Sequence, residues 1–127
     1  MIVVPGSQAL GAALPQAQAT AVVIGNFDGV HRGHQELFRR ARACAATGST
    51  ASGPSAVVAL TFVPHPTRVL APSRAPQLMC STERRRELLA AVGVDALVEQ
   101  PFTPAFSQLS PREFVHEVLI TGLKARW

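Results

Sequence analysis

The sequence contains no tyrosine, one tryptophan, one lysine and two cysteines in 127 residues. Each scarcity removes a class of protein. With no tyrosine and no stripe interleaving basic and aromatic residues, nucleic-acid binding is unsupported. Cys44 and Cys80 are too few for a disulfide framework and share no metal-ligand spacing, so a reduced, intracellular pair is expected. No apolar run approaches the roughly 20 residues that a membrane span requires. The start, Met1-Ile2-Val3-Val4-Pro5, has neither a charged segment nor a long apolar core, so no signal peptide is expected. A soluble, cytoplasmic protein follows. There is also no Walker A phosphate loop, no G-x-G-x-x-G, no cysteine–histidine zinc spacing and no serine nucleophile elbow.

What remains is ordinary in bulk. The chain is 47% hydrophobic and 16% charged, outside the disordered range, and long enough for one domain with a real core. Its net charge of +4 rests on eleven arginines. That balance suits an anionic ligand and, equally, an arginine-biased coding sequence.

The most informative stretch is Gly25-Asn26-Phe27-Asp28-Gly29-Val30-His31-Arg32-Gly33-His34. It follows the apolar run Ala21–Ile24 and precedes helical spacing at Leu37, Phe38, Ala41 and Ala45. The pattern predicts a strand, a glycine turn and the first turn of a helix. Such a junction aims unpaired N–H groups and the positive end of the helix dipole at one spot, which suits a phosphate. His31 and His34, three apart, project from one face toward it. Gly25, Gly29 and Gly33 allow a sharp turn or a close approach of ligand. Asp28 reads either as the helix N-cap or as a group facing the ligand.

Further along, residues 1–20 read mainly as a lead-in that could hold a short edge strand at Ile2–Val4. The helix after the glycine turn should run from about His31 to Ala46. A loop is expected over Thr47–Ser55, then a strand buried on both faces over Ala56–Phe62. The connection Val63–Cys80, with prolines at 64, 66, 72 and 76, should hold little regular structure. A helix starts near Ser81 or Thr82 and ends at Val92, capped by Gly93. A third strand is expected over Asp95–Glu99. Ser110-Pro111-Arg112-Glu113 forms a capping box with proline at its first helical position, opening a helix that buries Phe114, Val115, Val118 and Leu119 and stops at Gly122. Lys124–Trp127 resembles the approach to another strand. Alternating strands and helices mean a parallel sheet flanked by helices, with ligands at the carboxyl ends of the strands. Three strands make that sheet thin.

The ten-residue stretch resembles the G-x-F-D-G-x-H-x-G-H signature of bacterial FAD synthetases, in which an N-terminal FMN adenylyltransferase domain precedes a riboflavin kinase domain. Phe62-Val63-Pro64-His65-Pro66 is similar to that family's T-F-x-P-H-P segment. Gly93-Val94-Asp95, Phe102-Thr103 and Ser110–Phe114 are similar as well, so the resemblance covers roughly residues 20–127. It implies a Rossmann-like α/β fold of the H-x-G-H nucleotidyltransferase type. The implied reaction transfers AMP from ATP to FMN, giving FAD and pyrophosphate, with Mg²⁺ accompanying ATP and no dedicated metal site. His31 and His34 would be catalytic donors to the phosphates. Gly25, Asn26, Phe27, Asp28, Gly29 and Gly33 would bind ATP. Phe62, Pro64, His65 and Pro66 would contact the flavin, although His65 also fits a plain rigid turn. Val63 stands where the family usually carries an acidic residue.

Ser81-Thr82-Glu83-Arg84-Arg85 contains S-T-x-x-R, like the family's second nucleotide motif, but it opens a helix directly after the second strand. It is therefore assigned to helix capping and a solvated basic face. The chain reads as the front part of an adenylyltransferase domain, truncated and lacking the riboflavin kinase domain. Activity of the chain alone stays open. Alternatives are another small nucleotidyltransferase, or a non-catalytic nucleotide- or flavin-binding fragment. The latter would pair with a partner chain that completes its sheet along an unpaired edge.

Overall fold

A computed structural model describes residues 1–48 and 53–127. The middle of the loop expected over Thr47–Ser55 lies outside the described residues. The architecture is a parallel sheet of four strands between two helical layers. In chain order the strands are β1 (Ile2–Val4), β2 (Ala19–Ile24), β3 (Ser55–Val63) and β4 (Ala96–Pro101). They lie side by side as β1-β4-β3-β2, every neighbouring pair parallel. The expected three-strand sheet gains its fourth member from the lead-in, because Ile2–Val4 pairs with Ala96–Val98.

Alternation along β3 builds two cores. Val57 and Ala59 face the layer of α2 (Arg32–Gly48) and α4 (Thr82–Ala91), where they meet Phe38, Ala41, Ala45 and Leu89. Ala56, Val58 and Leu60 face the opposite layer and join Leu10, Leu14, Val118 and Leu123. Leu10 belongs to α1 (Leu10–Ala13). β3 is wholly buried from Ala56 to Thr61, as its continuous apolar run requires.

The proline-rich connection holds more order than expected. A short helix α3 (Pro66–Leu70) and a 3₁₀ turn (Pro72–Arg74) interrupt it. Both begin at a proline, whose fixed φ and missing donor suit the first helical position.

The last helix opens as its capping box predicts. Glu113 N–H donates to Ser110 Oγ at 3.2 Å, and the Glu113 carboxylate accepts from Ser110 N–H at 2.7 Å. After one α turn (α5, Pro111–Glu113) it widens into a π-helix over Phe114–Gly122. The wider turn moves the apolar stripe, so Val118 is buried while Val115, expected inside, is 46% exposed. Gly122 ends it against Ser7, at a spot where an added Cβ would sit 2.8 Å from the serine side chain.

The residues that follow turn back along β2. Thr20 N–H donates to the Lys124 carbonyl (3.0 Å), Arg126 N–H to the Thr20 carbonyl (2.9 Å), and Val22 N–H to the Trp127 carbonyl (2.9 Å). The approach to a further strand is thus a parallel pairing of the chain's last residues with the edge expected to be bare. β3 and β4 extend from β2 on one side, whereas these residues lie on the other. The order of the sheet reverses at β2, and open parallel sheets bind ligands at the carboxyl end of such a reversal.

Candidate active site

The turn after β2 is held by its own rings. Phe27 has φ +52, Gly29 +83 and Val30 +43. Positive φ at a β-branched residue is a rare, strained state that persists only when packing enforces it. Here it does: Phe27 and Val30 are buried, and the Phe27 ring packs against Phe38 at 5.3 Å. Phe27 also meets the edge of His34 at 5.2 Å, and His34 stacks on His31 with ring centroids 3.7 Å apart and planes 21° from parallel. The glycines serve this stack. A Cβ on Gly25 would come within 3.0 Å of the Phe27 ring, and one on Gly33 within 3.2 Å of His31.

His31 stands just before α2 and His34 in its first turn, so the pair sits at the helix N-terminus. Burial, and secondarily the nearby His31, hold the His34 imidazole below its ordinary pKa of 6.5. It is therefore neutral near pH 7 and keeps one N–H to donate. Its Nδ1 is buried and has no protein partner among the described residues.

Asp28 resolves differently from either expectation. Its carboxylate accepts from the backbone N–H groups of Met79 (2.8 Å) and Cys80 (3.0 Å), so it neither caps α2 nor stands free for a ligand. These bonds, led by Met79, hold its pKa below the ordinary 3.8. Gly29 N–H in turn donates to Cys80 Sγ at 3.3 Å. The far end of the proline-rich connection is thus fastened to the glycine turn.

Between the two runs a cleft whose empty space measures about 580 Å³, bounded by Asn26, Phe62, Pro64, His65, Cys80 and Arg85, among others. Of the residues expected to bind flavin, Phe62, Pro64 and His65 line it. Pro66 does not; it is the first residue of α3. His65 Nδ1 accepts from Thr67 N–H at 3.2 Å, capping α3 as a rigid turn would, and the residue also borders the cleft. Of the residues expected to bind ATP, Asn26 reaches the cleft. Phe27, fully buried, has only backbone to offer a nucleotide.

A family model described as FAD synthetase matches residues 14–127. The chain belongs to the FAD synthetase family. A bifunctional riboflavin kinase/FMN adenylyltransferase from Listeria monocytogenes is 36% identical over 100 residues, covering 78% of this chain and 30% of the relative. The protein of the same description from Pseudomonas fluorescens is 36% identical over 109 residues, 86% of this chain and 33% of the relative. The chain spans about a third of the length of these curated relatives. A solved structure described as a macrolide-efflux protein from Streptococcus pneumoniae superposes with a TM-score of 0.75 at 27% identity, over 98% of this chain and 39% of that one. Among the described residues no helix is long and apolar enough to cross a membrane.

Two features of the site in this family member escape sequence reasoning. The first is an aromatic cluster at the carboxyl ends of β3 and β4, where Phe62, Phe102, Phe106 and Phe114 pack with centroids 5.6–6.2 Å apart. The four lie on three separate segments, so no spacing signals them. The second is Arg85. The helix cap assigned to Ser81 is present, its Oγ accepting from Arg84 N–H at 3.1 Å. Arg84 lies on the exposed face beside Glu87. Arg85 does not: it is 9% exposed and points inward. The solvated basic face is therefore corrected at this position, because the α4 period turns residue 85 to the same side as Leu88 and Leu89.

Proposed function

We propose that this chain carries the adenylyl-transfer half of FAD synthesis, moving AMP from ATP to the phosphate of FMN. A phosphate oxygen of FMN attacks the α-phosphorus, the bond to the β-phosphate bridge oxygen breaks, and pyrophosphate leaves. Such a reaction asks for in-line positioning and neutralised charge more than for covalent chemistry. The observation that supports this reading most is the stacked histidine pair at the N-terminus of α2, beside the strand where sheet order reverses.

In this reading His34, neutral at working pH, donates to a phosphate oxygen as negative charge moves toward the pyrophosphate, and His31 donates beside it. The backbone of Gly25–Gly29 and Gly33 cradles the polyphosphate. The flavin ring lies against Phe62, Pro64 and His65. Mg²⁺ would be supplied with ATP and offset charge on its phosphates; among the described residues no group of three His, Cys, Asp or Glu side chains could hold a metal ion. The family match favours this over another small nucleotidyltransferase. The cytoplasm, where ATP is made available and thiols stay reduced, is the compartment that fits. The last residues already pair with β2 as far as Val22, and a partner chain seated in the groove lined by Ile24, Leu37 and Trp127 would extend that pairing.

The test is FAD formation from FMN and Mg-ATP, followed by chromatography, with the wild-type chain and with His34→Ala. FAD from the wild type and its loss in the variant are expected. A folded chain that binds both substrates yet forms no FAD reduces the function to nucleotide and flavin binding.

A further inference from the structure

The guanidinium of Arg85 is buried without being satisfied. Its Nη2 approaches the Glu99 carboxylate only to 3.8 Å, beyond hydrogen-bond reach. Glu99 is already held by Arg86, which makes two bonds to it at 2.6 and 3.0 Å. Nη1 lies at the limit of contact with the Asn26 carbonyl, 3.5 Å away. Nε is buried and donates to no protein atom among the described residues. A buried charge in this condition is expensive unless something completes its hydrogen bonds.

Its position says what that would be. Arg85 borders the cleft between the glycine turn and the Pro64–His65 turn, which the apolar surfaces of Phe62 and Pro64 also line. On the turn side the Asp28 carboxylate feels the Arg85 charge, but its oxygens are engaged by Met79 and Cys80 N–H. The cleft therefore has an apolar wall and a planar donor fork with free N–H groups, a combination that fits a flat ring carrying a phosphate.

We propose that Arg85 is a phosphate anchor, its guanidinium taking a phosphate of the nucleotide bound in this cleft and fixing it against the glycine turn at Asn26. This rests on the adenylyl-transfer reading of the same site and adds a positioning residue to it. The phosphate belongs to the flavin nucleotide or to ATP, and the two are separable. Binding of inorganic pyrophosphate, FMN, riboflavin, ATP and adenosine is measured by calorimetry on wild type, Arg85→Met and Arg85→Lys, each checked for intact fold by circular dichroism. Methionine is a tolerable replacement for a buried charged residue, and lysine keeps the charge without the fork.

The expected result is that Arg85→Met weakens pyrophosphate by about 10- to 100-fold, the worth of one or two charge-assisted bonds. It should weaken FMN, ATP or both to the same degree, while riboflavin and adenosine bind as to wild type. Arg85→Lys should fall between. Loss confined to FMN assigns the acceptor phosphate; loss confined to ATP assigns the donor. Unchanged binding of all phosphate species, a wild type that binds none, or equal losses for phosphorylated and phosphate-free ligands overturns the anchor. Failure of the adenylyl-transfer reading looks different: no FAD forms, yet pyrophosphate still binds in an Arg85-dependent way.

Discussion

The turn after β2 and the connection after β3 leave adjacent strands at the same edge of the sheet, and they are stabilised by opposite means. The first is short, internally buried and strained: Phe27 and Val30 sit in the core at positive φ, and two phenylalanines support the stacked histidines. The second runs from Val63 to Cys80 with most of its side chains in solvent, and prolines and a histidine-capped helical turn give it its shape. What fixes its far end is the Asp28 carboxylate reaching across from the first, with Gly29 N–H bonded to Cys80 Sγ beside it. One half of the site is preorganised by packing and the other is tethered to it. In the proposed reaction, the phosphate held during bond-breaking would belong with the rigid half, and the ring that enters and leaves with the tethered one.

Removing the rigid half's support should have the largest effect. Phe27→Ala empties a fully buried site and takes away the surface under His34. The expected loss is about 3–5 kcal/mol of unfolding free energy, read as a lower denaturant midpoint, together with loss of the imidazole stacking seen by NMR. A midpoint within experimental error of wild type would mean that packing does not enforce the turn.

His34→Ala should leave the fold standing and strike the chemistry. Loss of one preorganised donor lowers turnover by about 10²- to 10³-fold, with the FMN dissociation constant little changed. A drop confined to FMN affinity would move the histidine from the transferring phosphates to the flavin.

Cutting the tether is milder. Asp28→Ala leaves the Met79 and Cys80 N–H groups to water, and amide exchange at those two residues should quicken by about tenfold. Exchange in β2 and β3 should stay as in wild type. Acid should do the same to the native chain: the carboxylate's pKa lies below 3.8, so the tether holds above that pH and is lost as pH falls through the lowered value.

The smallest effect is a pH slope. Folding holds His34 below its ordinary 6.5, so just below that pH the unfolded chain binds the proton and the folded chain does not. Stability therefore falls as pH drops from about 6.5 toward the folded value and levels off beneath it. The slope should vanish in His34→Ala; its persistence there would assign it to another group.

Much of this was legible along the chain because it depends on neighbours in sequence. The strand, glycine turn and histidine pair, the capping box at Ser110 and the buried run of β3 all follow from spacing over a few residues. The lead-in strand was harder to read, since Ile2–Val4 becomes part of the sheet only by pairing with residues more than ninety positions away. The widened last helix carries an ordinary helical apolar pattern, and its shift shows only in the folded chain, where Val118 is buried and Val115 is exposed.

By itself, then, the sequence determined the family, the alternation of strand and helix, and the strand–turn–helix junction that carries the histidine pair, because each is encoded in short-range pattern. Tertiary structure alone decided the rest. Asp28 became a tether because backbone donors fifty residues on arrive beside it. The last residues marked β2 as the place where the sheet reverses. Three consecutive arginines received different surroundings because a helix turns about 100° per residue. Arg84 faces solvent, Arg86 is held by Glu99, and Arg85 faces the cleft. Local pattern gives all three the same charge and the same propensity; only the packing of α4 against the sheet tells them apart.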